Sequence, residues 1–179
     1  SAYQRKLMVL KSTQKKDFRE TLENSAKAYF KASERAGFRS AYPINNAVQL
    51  ARIVELISEQ EFPFEGTPKY KFSKLILDCE KQIQSKPKEK KDYWDLVTDT
   101  NILLSKIMIS PKSSQKNWDE LGNSYLEVWK KAGSASDKKA EEEHLDTLIK
   151  GLELAVSDEA KVLKSSLKLL RTSLSELKS

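Results

Sequence analysis

Apolar residues along the chain recur at steps of three and four, and Gly, Pro and short polar runs interrupt them at intervals of about one helix length. Taking those breakers as boundaries gives eight amphipathic segments and no alternating strand pattern. The first, Ser1 to Ser12, places Tyr3, Leu7 and Leu10 on one face. The second, Lys15 to Ala36, carries Phe18, Leu22, Ser25, Tyr29 and Ala32, and Gly37 ends it as a left-handed cap. The third, Ile44 to Glu59, is apolar on more than one face, which predicts burial between neighbours. The fourth opens on Thr67 and Pro68, a cap followed by a proline at the first helical position, and runs to Ser85 with Phe72, Leu75, Ile76, Cys79 and Ile83 as its stripe.

Four more segments follow the polar run KPKEKK at Lys86 to Lys91. The fifth, Asp92 to Met108, carries Trp94, Val97, Ile102, Leu104 and Met108, and the sixth, Ser113 to Ala132, carries Trp118, Leu121, Tyr125, Val128 and Trp129 before Gly133. The seventh, Ser136 to Ala155, offers Leu145, Leu148, Leu152 and Ala155. In the eighth, Asp158 to Leu177, Ala160, Leu163, Leu167, Leu170, Leu174 and Leu177 form a heptad seam that the seventh helix can cover. Helices of this length joined by short polar turns pack as antiparallel hairpins, so the expected fold is all-α, four helix hairpins in a row.

Composition narrows the chemistry. The 179 residues include 32% charged and only 39% hydrophobic side chains, with 5 Gly and 5 Pro, a mixture that favours long amphipathic helices. A formal charge of +6 is basic without naming a partner. One cysteine (Cys79) and one histidine (His144) exclude an internal disulfide and a Cys/His metal cluster, and glycines that stand singly exclude a phosphate loop. No run approaches the length of a membrane span and no signal peptide opens the chain, so a soluble, cytoplasmic protein without a cofactor is expected. The start at Ser1, directly in helical sequence, reads as a domain cut from a longer protein.

Tyr29, Lys31, Ala32 and Glu34 read Y-x-K-A-x-E, and Pro43, Asn45, Asn46 and Ala47 read P-x-N-N-A, with six extra residues, Gly37 to Tyr42, between them. The pair resembles the end of one tetratricopeptide-type repeat and the start of the next. Asp92 to Leu104 (DYWDLVTDTNILL) is similar to a first repeat helix, with Trp94 as its bulky packing residue. Trp118, Leu121, Gly122 and Tyr125 fit W-x2-L-G-x2-Y, a first-helix signature, whereas counting helices in pairs makes theirs a second helix. The chain resembles the divergent repeats of the TRAF-binding regulatory region of stress-activated mitogen-activated kinase kinase kinases, and bacterial signalling proteins with similar arrays. That resemblance implies a right-handed, tetratricopeptide-like superhelix over residues 1–132, a capping helical hairpin over 133–179, and a regulatory role within a larger signalling protein.

Few residues invite a functional role. Cys79 lies on an apolar stripe and reads as a buried, unreactive thiol, and His144, among Glu141, Glu142 and Glu143, reads as part of a solvated face. Trp94 and Trp129 read as packing between hairpins, whereas Phe62 and Phe64 in a loop are candidate anchors for a partner. Asp92, Asp95 and Asp99 line one face of a helix in a basic chain. They are either a cap, a dipole partner and a solvated residue, or, through the repeat register, the acidic lining of a concave groove that attracts a basic peptide. The expected function is a non-catalytic protein-protein interaction scaffold, mainly monomeric, with weak dimerisation through the eighth helix as a secondary expectation. A basic helical nucleic-acid-binding domain is the alternative, supported by KPKEKK and by Lys11, Lys15, Lys16 and Arg19.

Overall fold

The computed structural model describes residues 15–36, 41–62, 72–110, 114–131 and 134–176. Within them lie seven α-helices and one short 3-10 turn, and no strand. The helices are α1 (Lys15–Arg35), α2 (Ala41–Ser58), α3 (Phe72–Gln84), α4 (Tyr93–Ile109), α5 (Gln115–Lys131), α6 (Ala135–Leu152) and α7 (Asp158–Glu176). The expected helix at Ser1 to Ser12, the glycine stops at 37 and 133, the Thr67–Pro68 cap and Leu177 lie outside the described residues.

The apolar stripes account for the packing. On α1 the buried row is Phe18, Leu22, Ala26 and Phe30, four residues apart, while Ala32 of the repeat-like motif is exposed. Helix α2 is the centre: Ile44, Ala47, Val48, Leu50, Ala51, Ile53 and Val54 are all buried, as its all-round apolar sequence requires. It starts at Ala41, so Pro43 stands in its first turn, and Asn45 and Asn46 donate from their side-chain amides to the carbonyls of Ala41 and Tyr42 (3.0 and 2.9 Å).

Helices α1 to α5 pack as sequence neighbours, α1 on α2, α3 on α2 and α4, and α5 on α4, with α4 also lying on α2. The row then folds back, because α6 packs on α1 and α2, and α7 lies on both α6 and α5. Gly151 near the end of α6 permits this return: a Cβ there would come within 2.7 Å of Ile53 Cγ2 and 3.2 Å of Leu22 Cδ1. One continuous core therefore runs from Phe18 to Leu174, crossing the 132/133 boundary expected from sequence, and a smaller one joins Phe30, Ile44, Val48, Leu75, Ile76, Cys79, Ile83 and Ile102. The seam leucines of α7 (Leu163, Leu167, Leu170 and Leu174) are buried within the chain, under α6 and α5.

Candidate functional site

The acidic face of α4 is already occupied. Asp92 caps the helix and forms a capping box with Asp95: its carboxylate accepts from Asp95 N, and Asp95 Oδ2 accepts from Asp92 N, both at 2.9 Å. The basic run before the helix folds over this stripe, so that Lys86 pairs with Asp95, and Lys91 with Asp99 at 2.7 Å. The Lys86 hydrogen bond holds the Asp95 carboxyl below its ordinary range. The expected open stripe and the expected free lysines thus largely cancel one another, and the stripe offers a basic peptide little unpaired charge. Other expectations also need correction. Phe62 is only 8% exposed, because Glu55 Oε1 accepts its backbone N–H at 3.0 Å and the ring turns into the main core; Phe64 lies outside the described residues. Trp94 is 50% exposed instead of packing between hairpins, its ring meeting Tyr93 edge-on at 5.1 Å in the first turn of α4. Cys79, by contrast, is buried as its apolar stripe predicts, and burial pushes its thiol up to about 12.

His144 is the largest departure. It is 7% exposed, and Glu141, one turn before it on α6, is 5% exposed. Both face α2 and α4 because α6 returns to α2. Glu141 lies near Tyr42 at the start of α2 and Tyr93 at the start of α4, Gly151 meets Ile53 late in α2, and Arg52 donates to the Met108 carbonyl at 3.3 Å. Helices α2, α4 and α6 therefore run parallel, with their first turns together. Between them the polar groups form a directed chain. The His144 Nε2 proton is donated to Gln49 Oε1 at 2.6 Å, since that amide oxygen only accepts. Gln49 Nε2 donates to the Asn101 carbonyl (3.1 Å) and Ser105 Oγ (2.9 Å), and Ser105 Oγ lies 2.9 Å from Asn45 Oδ1. His144 Nδ1 has no partner among the described residues, and burial holds the ring neutral, lowering it to about 4.

Glu141 accepts only a long bond from Asn101 Nδ2, 3.5 Å, and has no ion-pair partner among the described residues. Burial first, and the charge of Asp137 after it, push its carboxyl up to about 7. This sealed junction locks helices together. Among the described residues no three His, Cys, Asp or Glu side chains are grouped to hold a metal ion. The junction was legible only in part: Asn45, Gln49 and Arg52, and Asn101 and Ser105, are polar positions at helical spacing on otherwise apolar helices.

The open surface lies elsewhere, between α5 and α7. A groove of about 380 Å³ is lined by Trp118, Gly122 and Leu126 of α5 and by Ser166, Leu169, Leu170 and Ser173 of α7. Through Trp118 and Ser166 it continues into a second hollow of about 280 Å³ that reaches Ile107, Met108, Asp158, Glu159 and Val162. Glu159 then joins a third, about 340 Å³, lined by Arg52, Glu55, Glu59, Gln60 and Glu61. Leu169 is 70% and Val162 66% exposed, two apolar side chains seven residues apart on α7, outside its buried seam. Both lie off the apolar seam that the sequence pattern marks on this helix. Among the described residues no helix is long and apolar enough to cross a membrane. Comparison with protein-family models, with curated proteins and with solved structures gives no match.

Proposed function

We propose that the chain is a non-catalytic protein-interaction module, a cytoplasmic regulatory segment of a larger signalling protein. In this reading α1 to α5 are a tetratricopeptide-like hairpin stack that α6 and α7 close, and the monomer binds a protein or peptide partner. The observation that supports it is the groove between α5 and α7. Leaving Leu169 and Val162 in water forfeits roughly 1.5 to 3 kcal/mol for each side chain that full burial would gain, and the hollows they line also hold Trp118, Leu126 and Leu170, so a partner that entered would bury several apolar side chains at once. The signalling role rests on the sequence resemblance alone. Among the described residues, Lys86 and Lys91 of the basic run on which the nucleic-acid alternative rests are paired with Asp95 and Asp99, which weakens that alternative.

Selection of displayed random peptides on the chain, counter-selected on Leu169→Asp, tests this function. The substitution is at an exposed position and leaves the core intact. Enriched peptides that release from Leu169→Asp support the reading; no enrichment, or peptides indifferent to Leu169, overturns it.

A further inference from the structure

We infer that the α5/α7 groove takes a basic amphipathic helix, its apolar side against Trp118, Leu126 and Leu169 and its cationic end at Glu59 and Glu61. This names the partner's chemistry and rests on the interaction reading above. The shape comes first. On α5, Trp118, Gly122 and Leu126 are four residues apart, and on α7, Val162, Ser166, Leu169 and Ser173 follow at steps of four, three and four, so each helix presents one continuous row. Small residues alternate with large ones in both rows. A Cβ at Gly122 would have only Leu170 Cδ1 near it, at 3.8 Å, which leaves a hole for an incoming side chain. From Asp158 to Leu174 the lined part of α7 is about 24 Å long, the length of roughly four helical turns. The rows of α5 and α7 border one groove between two helices, the surface on which an amphipathic helix lays its apolar face, and a helix satisfies its own backbone hydrogen bonds there.

Charge decides the rest. Among the described residues that line the three hollows, six are carboxylates (Glu55, Glu59, Glu61, Asp119, Asp158 and Glu159) and one, Arg52, is a cation. Arg52 bridges Glu55 and Glu159 at 3.1 and 2.5 Å, and Lys161 pairs with Asp158 at 2.9 Å. Glu59, Glu61 and Asp119 have no ion pair among the described residues, and Glu59 and Glu61 lie together at one end. In a chain of formal charge +6 this is a local excess of negative charge on an apolar groove. A second copy of the chain would bring the same carboxylates to face themselves, and a nucleic acid would meet them with phosphates.

The test uses the full chain and fluorescence anisotropy with a labelled peptide of about sixteen residues. Its leucines follow steps of three and four, and its lysines lie on the other face and are concentrated at one end. Two control peptides have glutamates for the lysines, or the same composition with leucines scattered around the helix. The lysine peptide should bind, and both controls should bind at least about tenfold more weakly. Leu169→Asp should weaken it about tenfold or more, and Glu59→Gln with Glu61→Gln about three- to tenfold. Equal binding of either control, or no effect of the glutamine pair, overturns the inference. So does a dimer in sedimentation that Leu169→Asp disperses, which makes a second copy the occupant. Tighter peptide binding in Leu7→Asp also overturns it, by making residues 1–14 the occupant. If peptide selection yields Leu169-dependent ligands that are not basic helices, the inference fails and the interaction reading stands; if it yields none, both fail.

Discussion

Glu59 ends α2 with a φ of 54°, the left-handed region that favours glycine, and it does so at the acidic end of the groove. A side chain there costs roughly 1 kcal/mol relative to glycine. Glu59→Gly should therefore raise the free energy of urea unfolding by about that amount while weakening the basic peptide, so that stability and affinity move in opposite directions. The buried pair on α6 gives a second prediction at this scale. Glu141 is raised from 4.5 to about 7, so the folded state holds a proton that the unfolded chain has released; stability falls as pH rises from about 4.5 to 7. His144 is lowered from 6.5 to about 4, so the unfolded chain takes up a proton that the folded state refuses, and stability falls as pH drops from about 6.5 to 4. Each is worth roughly 3 kcal/mol across its window, and between about pH 4.5 and 6.5 they oppose one another. Urea midpoints of Glu141→Gln should rise with pH over that window and those of His144→Gln should fall, while the parent chain shows the shallower slope. Parallel profiles in all three chains would show that neither group is perturbed.

At the scale of elements, two helical glycines behave differently for a stated reason. Alanine is worth about 1 kcal/mol more than glycine in a helix interior, and at Gly122 the added methyl makes only ordinary contact with Leu170. At Gly151 the same methyl meets the branched side chain of Ile53 at 2.7 Å and forces α6 away from α2 and α1. Gly122→Ala should leave thermal stability unchanged or raise it; Gly151→Ala should lower it by about 1 to 3 kcal/mol. Equal effects would mean that the close approach of α6 is not what holds the bundle shut. Helix α4 offers a third case. Asp92→Ala removes a cap and should cost about 1 kcal/mol of stability without altering peptide affinity, because its carboxylate is engaged with Asp95 N and lies away from the groove.

For the molecule as a whole, the closing contacts predict shared cooperativity. Leu22, Ile53 and Leu148 belong to one buried cluster although they come from α1, α2 and α6, so removing α6 from α2 would open the centre of the core. Amide protection measured by native-state hydrogen exchange should therefore be of the same order in α2 and α6, and urea unfolding followed by circular dichroism and by tryptophan fluorescence should give coincident transitions. Separate transitions, with α6 and α7 exchanging early, would restore a boundary near residue 132 and make the last hairpin an independent cap.

The periodicity of apolar positions by itself determined that the described residues are helical, where five of the seven described helices begin and end to within a few residues, and that the leucine seam of α7 must be covered. These are local properties, fixed by side-chain spacing at 3.6 residues per turn and by breakers such as the Asp92 capping box. Helix α2 starts at Ala41 and not at the expected Ile44, because Pro43 is tolerated in a first helical turn. What sequence could not assign is which face meets which neighbour. Whether Glu141 and His144 are solvated or buried depends on α6 returning to α2, a contact more than ninety residues away in the chain and carried by the fit of Gly151 against Ile53. The acidic surface shows the same division. Asp92, Asp95 and Asp99 were visible as a stripe, but only the folded chain brings Lys86 and Lys91 onto it, and only the folded chain gathers Glu59, Glu61, Asp119 and Glu159, from three separate stretches, around one apolar groove. Charge is a property of residues, and a charged surface is a property of tertiary packing.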